Sequence, residues 1–342
     1  MQVTLIIKLY IIGNSIINMK DLKSSFFDKI IFYLLNKIFS KSYRTNFSRT
    51  FFKNFFGLIR KVIKNKAEIS LNKKKTKFLY VNDKLEKFGW VKLIENDLNK
   101  NIISLKKNAV ESAKRIFDSE FNENRSDKKY LRNINLTNFP KETTSFHEFL
   151  TNPIFIKIIS KYLNDIPLLT ELKLLYSPPS DTKDFKGSQL FHSDFDDEKL
   201  VKIFVFIDDI DVDMGPLELI EKNDSKLIMK KVNYSWGQKS KNYSSHDDRL
   251  KDVLGKEPTR MELVGSSGSI YLVDTANCLH RGSRNPIKAR KVLYANFCTR
   301  TSFRNPPLNW IYHNKLTLLK SSPMINLDPK KKLNLGYLEN NL

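Results

Sequence analysis

From residue 170 onward the chain reads as short apolar segments cut by turn residues, and this pattern limits the fold more than any other feature. Glu171–Tyr176 ends at Pro178-Pro179. Ser188–Asp194 is followed by Leu200–Ile207, which alternates and is rich in branched and aromatic residues. Gly215-Pro216 breaks the chain, Gly265 and Gly268 bracket a turn before Ser269–Val273, and Arg290–Cys298 forms a last segment. Short strands separated by turns predict an antiparallel sandwich or jelly roll. The preceding part is helical in pattern. After a short strand near Phe88–Leu93, residues 97–120 place Ile102, Leu105, Ala109, Ala113 and Ile116 at helical spacing, and residues 146–163 read as another helix with Pro153 early in it. The expected architecture is mainly β, with helices packed outside the sheets.

With 342 residues, 41% of them hydrophobic and 12% aromatic, the chain can bury a substantial core, which excludes wholesale disorder. Two cysteines, Cys278 and Cys298, are too few for a disulfide scaffold or a thiolate zinc site and read as small buried residues. The formal charge of +22 is unevenly placed: residues 1–80 hold 17 Lys/Arg and 3 Asp/Glu. The basic character therefore belongs mainly to an N-terminal extension, 1–77, and less to the main domain, 78–342. Only 13 of the cations are Arg, the better reader of phosphates and bases, so no nucleic-acid partner is expected. Within the extension, Phe26, Phe27, Ile30, Ile31, Leu34, Leu35, Ile38 and Phe39, then Phe47 to Ile59, form apolar helical stripes with lysines opposite. Residues 24–64 are read either as two helices packed on the main domain or as a peripheral contact with an anionic membrane surface. Lys73 to Lys77 reads as a solvated linker, and Met19 is a candidate start of the chain. No charge-free apolar run approaches the roughly 18 residues of a membrane span, and the expected location is cytoplasmic.

Five histidines are present, and two sit in chemically suggestive company. In Phe191-His192-Ser193-Asp194, a strand would put the imidazole and the carboxylate on one face. His280 follows the Ser269–Val273 segment, 86 positions after Asp194. Two imidazoles and one carboxylate form a set suited to Fe(II), with coordination positions left open. Arg290 opens the last strand with Val292, Tyr294 and Asn296 on its face, and a guanidinium entering an apolar barrel calls for a carboxylate held in two parallel hydrogen bonds. His147 reads as a helix-start residue, His246 as part of a polar loop, and His313 as packing beside Trp310 and Tyr312.

This ordered set resembles the phytanoyl-CoA dioxygenase-like family of Fe(II)/2-oxoglutarate oxygenases. The flanks that carry the resemblance are Gly187 to Asp194, Lys202 to Ile210 with Gly215-Pro216-Leu217-Glu218, and Gly268 to Asp274 running on to His280-Arg281-Gly282. Phe88-Gly89-Trp90-Val91 and Thr151-Asn152-Pro153 resemble its helical part, and the match covers roughly 78–303. The resemblance implies a double-stranded β-helix (jelly-roll, cupin-like) core over about 170–303. It implies His192, Asp194 and His280 as iron ligands and Arg290 as the residue binding the distal carboxylate of 2-oxoglutarate. Ser283, Gln189 and Tyr176 are weaker co-substrate candidates. Arg290 is preferred to Arg284 because it opens a strand whose alternate residues can face inward. O2 and 2-oxoglutarate would be consumed and succinate and CO2 released. The presence of Asp194 favours hydroxylation or desaturation of a small molecule, lipid or sugar precursor over halogenation. Glu221 to Ser225 replaces the Pro-Gly-Ser-His-like turn usual in the family. Residues 181–187, 221–260 and 300–320 are therefore expected to build a pocket of different specificity. The competing reading is a non-catalytic jelly-roll protein docked on anionic membrane.

Overall fold

The computed structural model describes residues 78–299, except 120–129, 135, 137–138, 165–166, 182–183, 195 and 235–246. The extension 1–77 with its stripes and linker, His246, His313 and the 300–320 segment lie outside the described residues. Strands β1 (Trp90–Leu93), β7 (Ile270–Val273), β4 (Val201–Phe206), β9 (Arg290–Cys298), β3 (Leu168–Ser177) and β2 (Arg132–Ile134) form one antiparallel sheet in that order. Strands β6 (Arg260–Glu262), β5 (Glu218–Ile220) and β8 (His280–Arg281) form a smaller one. The pair is the jelly roll expected from the strand pattern.

Side-chain parity explains why the large sheet sits between two cores. Val201, Ile203 and Val205 of β4, Leu272 of β7 and Leu293, Ala295 and Phe297 of β9 face the helices. Phe204 and Phe206 of β4, Tyr271 and Val273 of β7 and Val292 and Tyr294 of β9 face Leu219 and Leu263 on the small-sheet side. Every residue of β4 is buried. A sheet covered on both faces reads as a near-continuous apolar run, which is what Val201 to Ile207 shows.

Helices α1 (Leu79–Phe88), α2 (Lys100–Ser119), α3 (Pro140–Leu150) and α4 (Pro153–Leu163) cover the outer face. Ile102, Ala109, Ala113 and Ile116 of α2 are buried there, as their spacing predicts, with Leu105 partly buried. The single helix read over 146–163 is in fact two. Asn152 caps α4 by accepting a hydrogen bond from the Ile154 amide at 3.0 Å, and Pro153 fills the first helical position. A residue preceding proline avoids the helical region, so the chain must break at that point. His147 lies in the last turn of α3, not at a helix start.

The sequence also reads as a loop where the structure has helix α5 (Lys222–Lys231), with α6 (Asp247–Leu254) beyond it. The buried face of α5 is largely polar, which hides its periodicity: Lys222, Asp224 and Ser225 are buried beside Ile228 and Met229. These polar groups are satisfied. Ser225 Oγ donates to the Ile220 carbonyl at 2.8 Å and accepts from the Leu279 amide at 2.9 Å, and Asp224 accepts from the Thr259 amide at 2.8 Å. Among the described residues no helix is long and apolar enough to cross a membrane.

Gly89 ends α1 in the left-handed region at φ 81°, and a Cβ there would stand 2.2 Å from Cys278 Sγ. Gly255 has nearly the same φ, 80°, with open space around it. Gly89→Ala is expected to cost at least about 2 kcal/mol, adding overpacking to backbone strain. Gly255→Ala is expected to cost about 1 kcal/mol, from strain alone. Chemical denaturation midpoints of the two variants measure the difference.

Candidate metal centre

His192 is the only position of the Ser188–Asp194 segment that pairs as a strand does, and its partner is His280. The two residues exchange both backbone hydrogen bonds, His192 N to His280 O at 3.0 Å and the reverse at 2.9 Å. This pairing sets the imidazole rings 4.2 Å apart, centroid to centroid. Each ring is oriented by a backbone carbonyl two residues earlier: Leu190 O lies 2.9 Å from His192 Nδ1 and Cys278 O lies 3.1 Å from His280 Nδ1. A carbonyl oxygen only accepts, so Nδ1 carries a proton in both rings and Nε2 is the nitrogen left for a metal.

Asp194 is pinned by its amide, which donates to Thr275 O at 3.0 Å. Its Oδ2 lies 3.5 Å from His280 Nε2 and also receives the ammonium of Lys202. One ligand atom from each of His192, Asp194 and His280 falls within 4.8 Å of the others. Burial, His192 and Lys202 push the His280 imidazole down to about 3, outweighing the pull of Asp194, so the ring is neutral at physiological pH. For Asp194, burial works against ionisation, but Lys202, His280 and His192 prevail and hold it well below the usual carboxylate range. An ionised carboxylate and the neutral His280 imidazole have the protonation states that metal ligation requires, and the His192 imidazole converges on the same point.

Arg290 enters the same cavity, a space of about 730 Å³ between the two sheets that also takes in His192, Asp194, His280 and Ser283. Its Nη2 donates to Ser283 Oγ at 3.0 Å and Ser177 Oγ at 3.2 Å. Its buried Nε has no hydrogen-bond partner among the described residues. Burial alone lowers the guanidinium to about 10; no carboxylate contributes. A buried cation flanked by neutral hydroxyls, with an unused N–H, has the hydrogen-bonding capacity to receive a carboxylate. Arg284 is committed elsewhere: its Nε donates to Gln189 O at 2.6 Å and its guanidinium stacks 4.2 Å over Phe185.

Two of the weaker candidates do not reach this cavity. Gln189 is buried with its amide engaged in the backbone, Nε2 donating to Ser283 O at 2.8 Å and Oε1 accepting from Lys186 N at 3.2 Å. It thereby steadies Ser283, whose φ of 58° is in the left-handed region. Tyr176 faces the helices, its ring 6.4 Å from Phe117, because strand parity turns Leu175 and Ser177 inward instead. Of the segments expected to build the pocket, 221–260 supplies none of its described lining, and 181–187 likewise supplies none. Ser177, Glu171, Lys173 and Lys202 do line it and escaped the reading of the sequence. The signal was present for Lys202: it shares the parity of Phe204 and Phe206 in a strand apolar on both faces, so its charge had to point inward.

The fold and these side chains define a double-stranded β-helix with a candidate two-histidine, one-carboxylate metal face. No protein-family model matches the sequence, and no curated protein matches it. Among solved structures, the chain is similar to the epimerase SnoN from nogalamycin biosynthesis, determined with Fe3+, alpha ketoglutarate and nogalamycin RO, at 12% identity and a TM-score of 0.47, over 69% of this chain and 89% of that one. It is also similar to EctD from S. alaskensis with bound Fe, at 13% identity and a TM-score of 0.44, over 67% and 80%. The alpha ketoglutarate dependent carbocyclase SnoK from nogalamycin biosynthesis gives 13% identity and a TM-score of 0.43, over 68% and 87%. At these identities the likeness concerns the fold and carries nothing about this chain's substrate.

Replacing Gln189 by Leu leaves the Ser283 carbonyl and the Lys186 amide without their partner. The expected loss is about 1–3 kcal/mol of stability, read by thermal unfolding, with metal stoichiometry unchanged.

Proposed function

We propose that this chain is an Fe(II)- and 2-oxoglutarate-dependent oxygenase that hydroxylates a small molecule. The observation that carries the reading is the meeting, in one cavity, of the His192, Asp194 and His280 ligand set with a buried Arg290 that has no carboxylate partner among the described residues. Either feature alone has ordinary structural explanations. Together they provide for a metal and for a dicarboxylate beside it.

His192, Asp194 and His280 would hold the iron through Nε2, a carboxylate oxygen and Nε2. Arg290 would hold the distal carboxylate of 2-oxoglutarate, with Ser283 and Ser177 fixing the guanidinium at 3.0 and 3.2 Å. When bound, iron and 2-oxoglutarate supply an O2-consuming oxidation that releases succinate and CO2 and functionalises a C–H bond. The protein's part is to keep the His280 imidazole neutral, the carboxylate ionised and the guanidinium oriented before anything binds. Val292, Leu217 and Phe204 line the same cavity and give it apolar walls. The competing reading, a non-catalytic binding protein, offers no reason for a buried guanidinium flanked by two serines.

Anaerobic titration with Fe(II) and 2-oxoglutarate tests the proposal through the weak visible charge-transfer band of the chelate. Wild type is expected to show the band and His280→Ala to lose it. Arg290→Ala is expected to need roughly 30-fold or more 2-oxoglutarate, because a buried charged partner is removed. A well-folded wild type without the band would sink the reading.

A further inference from the structure

Three contacts that place the candidate ligand set end on one short loop, residues 274–278, between β7 and β8. Thr275 O accepts from the Asp194 amide at 3.0 Å. Ala276 O accepts from Ser193 Oγ at 2.7 Å, and Ser193 stands between His192 and Asp194 in the chain. Cys278 O lies 3.1 Å from His280 Nδ1 and so orients that ring. The loop therefore supports the ligand segments on both sides of the His192–His280 bridge. None of its five residues is among the described residues that line the cavity. Its influence on a bound metal runs through backbone carbonyls.

Residues 274–278 belong to no helix or strand, so no ladder holds those carbonyls in place. The fully buried carboxylate of Asp274 does so instead. Its Oδ1 accepts from the Ala276 amide at 3.2 Å and the Leu200 amide at 3.5 Å. Its Oδ2 accepts from Tyr162 Oη at 2.5 Å and Asn277 Nδ2 at 2.7 Å. Two of these donors belong to the loop itself. The other two tie it to the entry of β4 and to α4. The Asp274 backbone completes the turn, its carbonyl accepting from the Cys278 amide at 3.0 Å and its amide donating to Gly89 O at 2.7 Å. Only an ionised carboxylate offers two oxygens to four donors. An asparagine of the same shape turns its NH2 toward two of them.

We propose that Asp274 is a positioning residue for the metal centre: without touching the metal, its carboxylate sets the affinity of His192, Asp194 and His280 for a divalent cation by fixing the Thr275, Ala276 and Cys278 carbonyls. The inference rests on the metal-centre reading above. A ligand set is selective only while its atoms stay within fractions of an ångström of the coordinating geometry, and groups that hold the ligands are part of that requirement.

The test is Co(II) titration of the full chain, read by the visible bands of the bound ion, with thermal unfolding of each metal-free variant alongside. Asp274→Asn is expected to bind Co(II) roughly 10–100-fold more weakly than wild type, with shifted bands. Tyr162→Phe removes one donor of the four and is expected to weaken binding roughly 5-fold. Ile116→Ala serves as the control: it opens a cavity in the core on α2, costs stability, and is expected to leave Co(II) affinity and bands unchanged. Circular dichroism confirms the fold of each. Should Asp274→Asn fail to fold, Tyr162→Phe against Ile116→Ala decides the question. Unchanged affinity and bands in the folded variant, or an equal loss of affinity in Ile116→Ala, would overturn the positioning role while leaving the metal centre intact. Failure of wild type to bind Co(II), with His280→Ala no different, would overturn both.

Discussion

The reciprocal backbone hydrogen bonds between His192 and His280 are what the site depends on, because neither residue belongs to a strand long enough to position it otherwise. The strand carrying His280 has two residues, and His192 contributes a single bridge. The next pinning contact, Asp194 N to Thr275 O at 3.0 Å, engages the turn that leads from β7 to His280. That turn is anchored from the helical layer. Buried Asp274 accepts from Tyr162 Oη of α4 at 2.5 Å and from Asn277 Nδ2 at 2.7 Å, and Lys222 Nζ of α5 reaches Tyr162 Oη at 3.0 Å. The outer helices thus do more than cover the sheet. Through one buried polar chain they fix the loop from which a proposed metal ligand projects, and a fully satisfied buried network is rigid in a way that an apolar contact is not.

Much of this was legible in the sequence, and the parts that were not share a cause. Strands β4, β7 and β9 announce themselves because both faces are buried and branched and aromatic residues crowd into short runs. The order His-x-Asp, His, Arg singled out the side chains that the fold brings together, although the segment around His192 is a loop with one bridge and not the strand assumed for it. The misreadings fall where polar groups are buried. Helix α5 was hidden because Ser225 and Asp224 spend their polarity on backbone groups of neighbouring segments. Gln189 was taken for a ligand contact when its amide serves Lys186 and Ser283. Hydrophobic periodicity detects surface transferred from water and is silent about hydrogen bonds that close only in three dimensions. Tyr176 was misplaced by a simpler route: with Ser177 inward at the strand end, parity sends its neighbour the other way.

The two inward cations illustrate how environment separates identical formal charges. Arg290 is surrounded by hydroxyls, which satisfy hydrogen-bonding capacity without cancelling charge, and its Nε is left over. Such a group gains most from an arriving carboxylate, since desolvation has already been suffered in folding. Lys202 is paired, but with an oxygen that has a second claimant. The flexible stem of lysine lets its ammonium move several ångströms at little cost, whereas the planar fork of Arg290, held at both serines, cannot follow a ligand. A fixed cation suits a co-substrate that must be placed the same way in every turnover. Sheet geometry keeps the two apart, because inward-facing positions on β9 and β4 recur every second residue and six residues separate Arg290 from the register partner of Lys202. The cavity therefore receives its two inward cations at different levels of the strands, Lys202 against the carboxylate of the candidate ligand set, and that layout follows from strand parity and register before any chemistry begins.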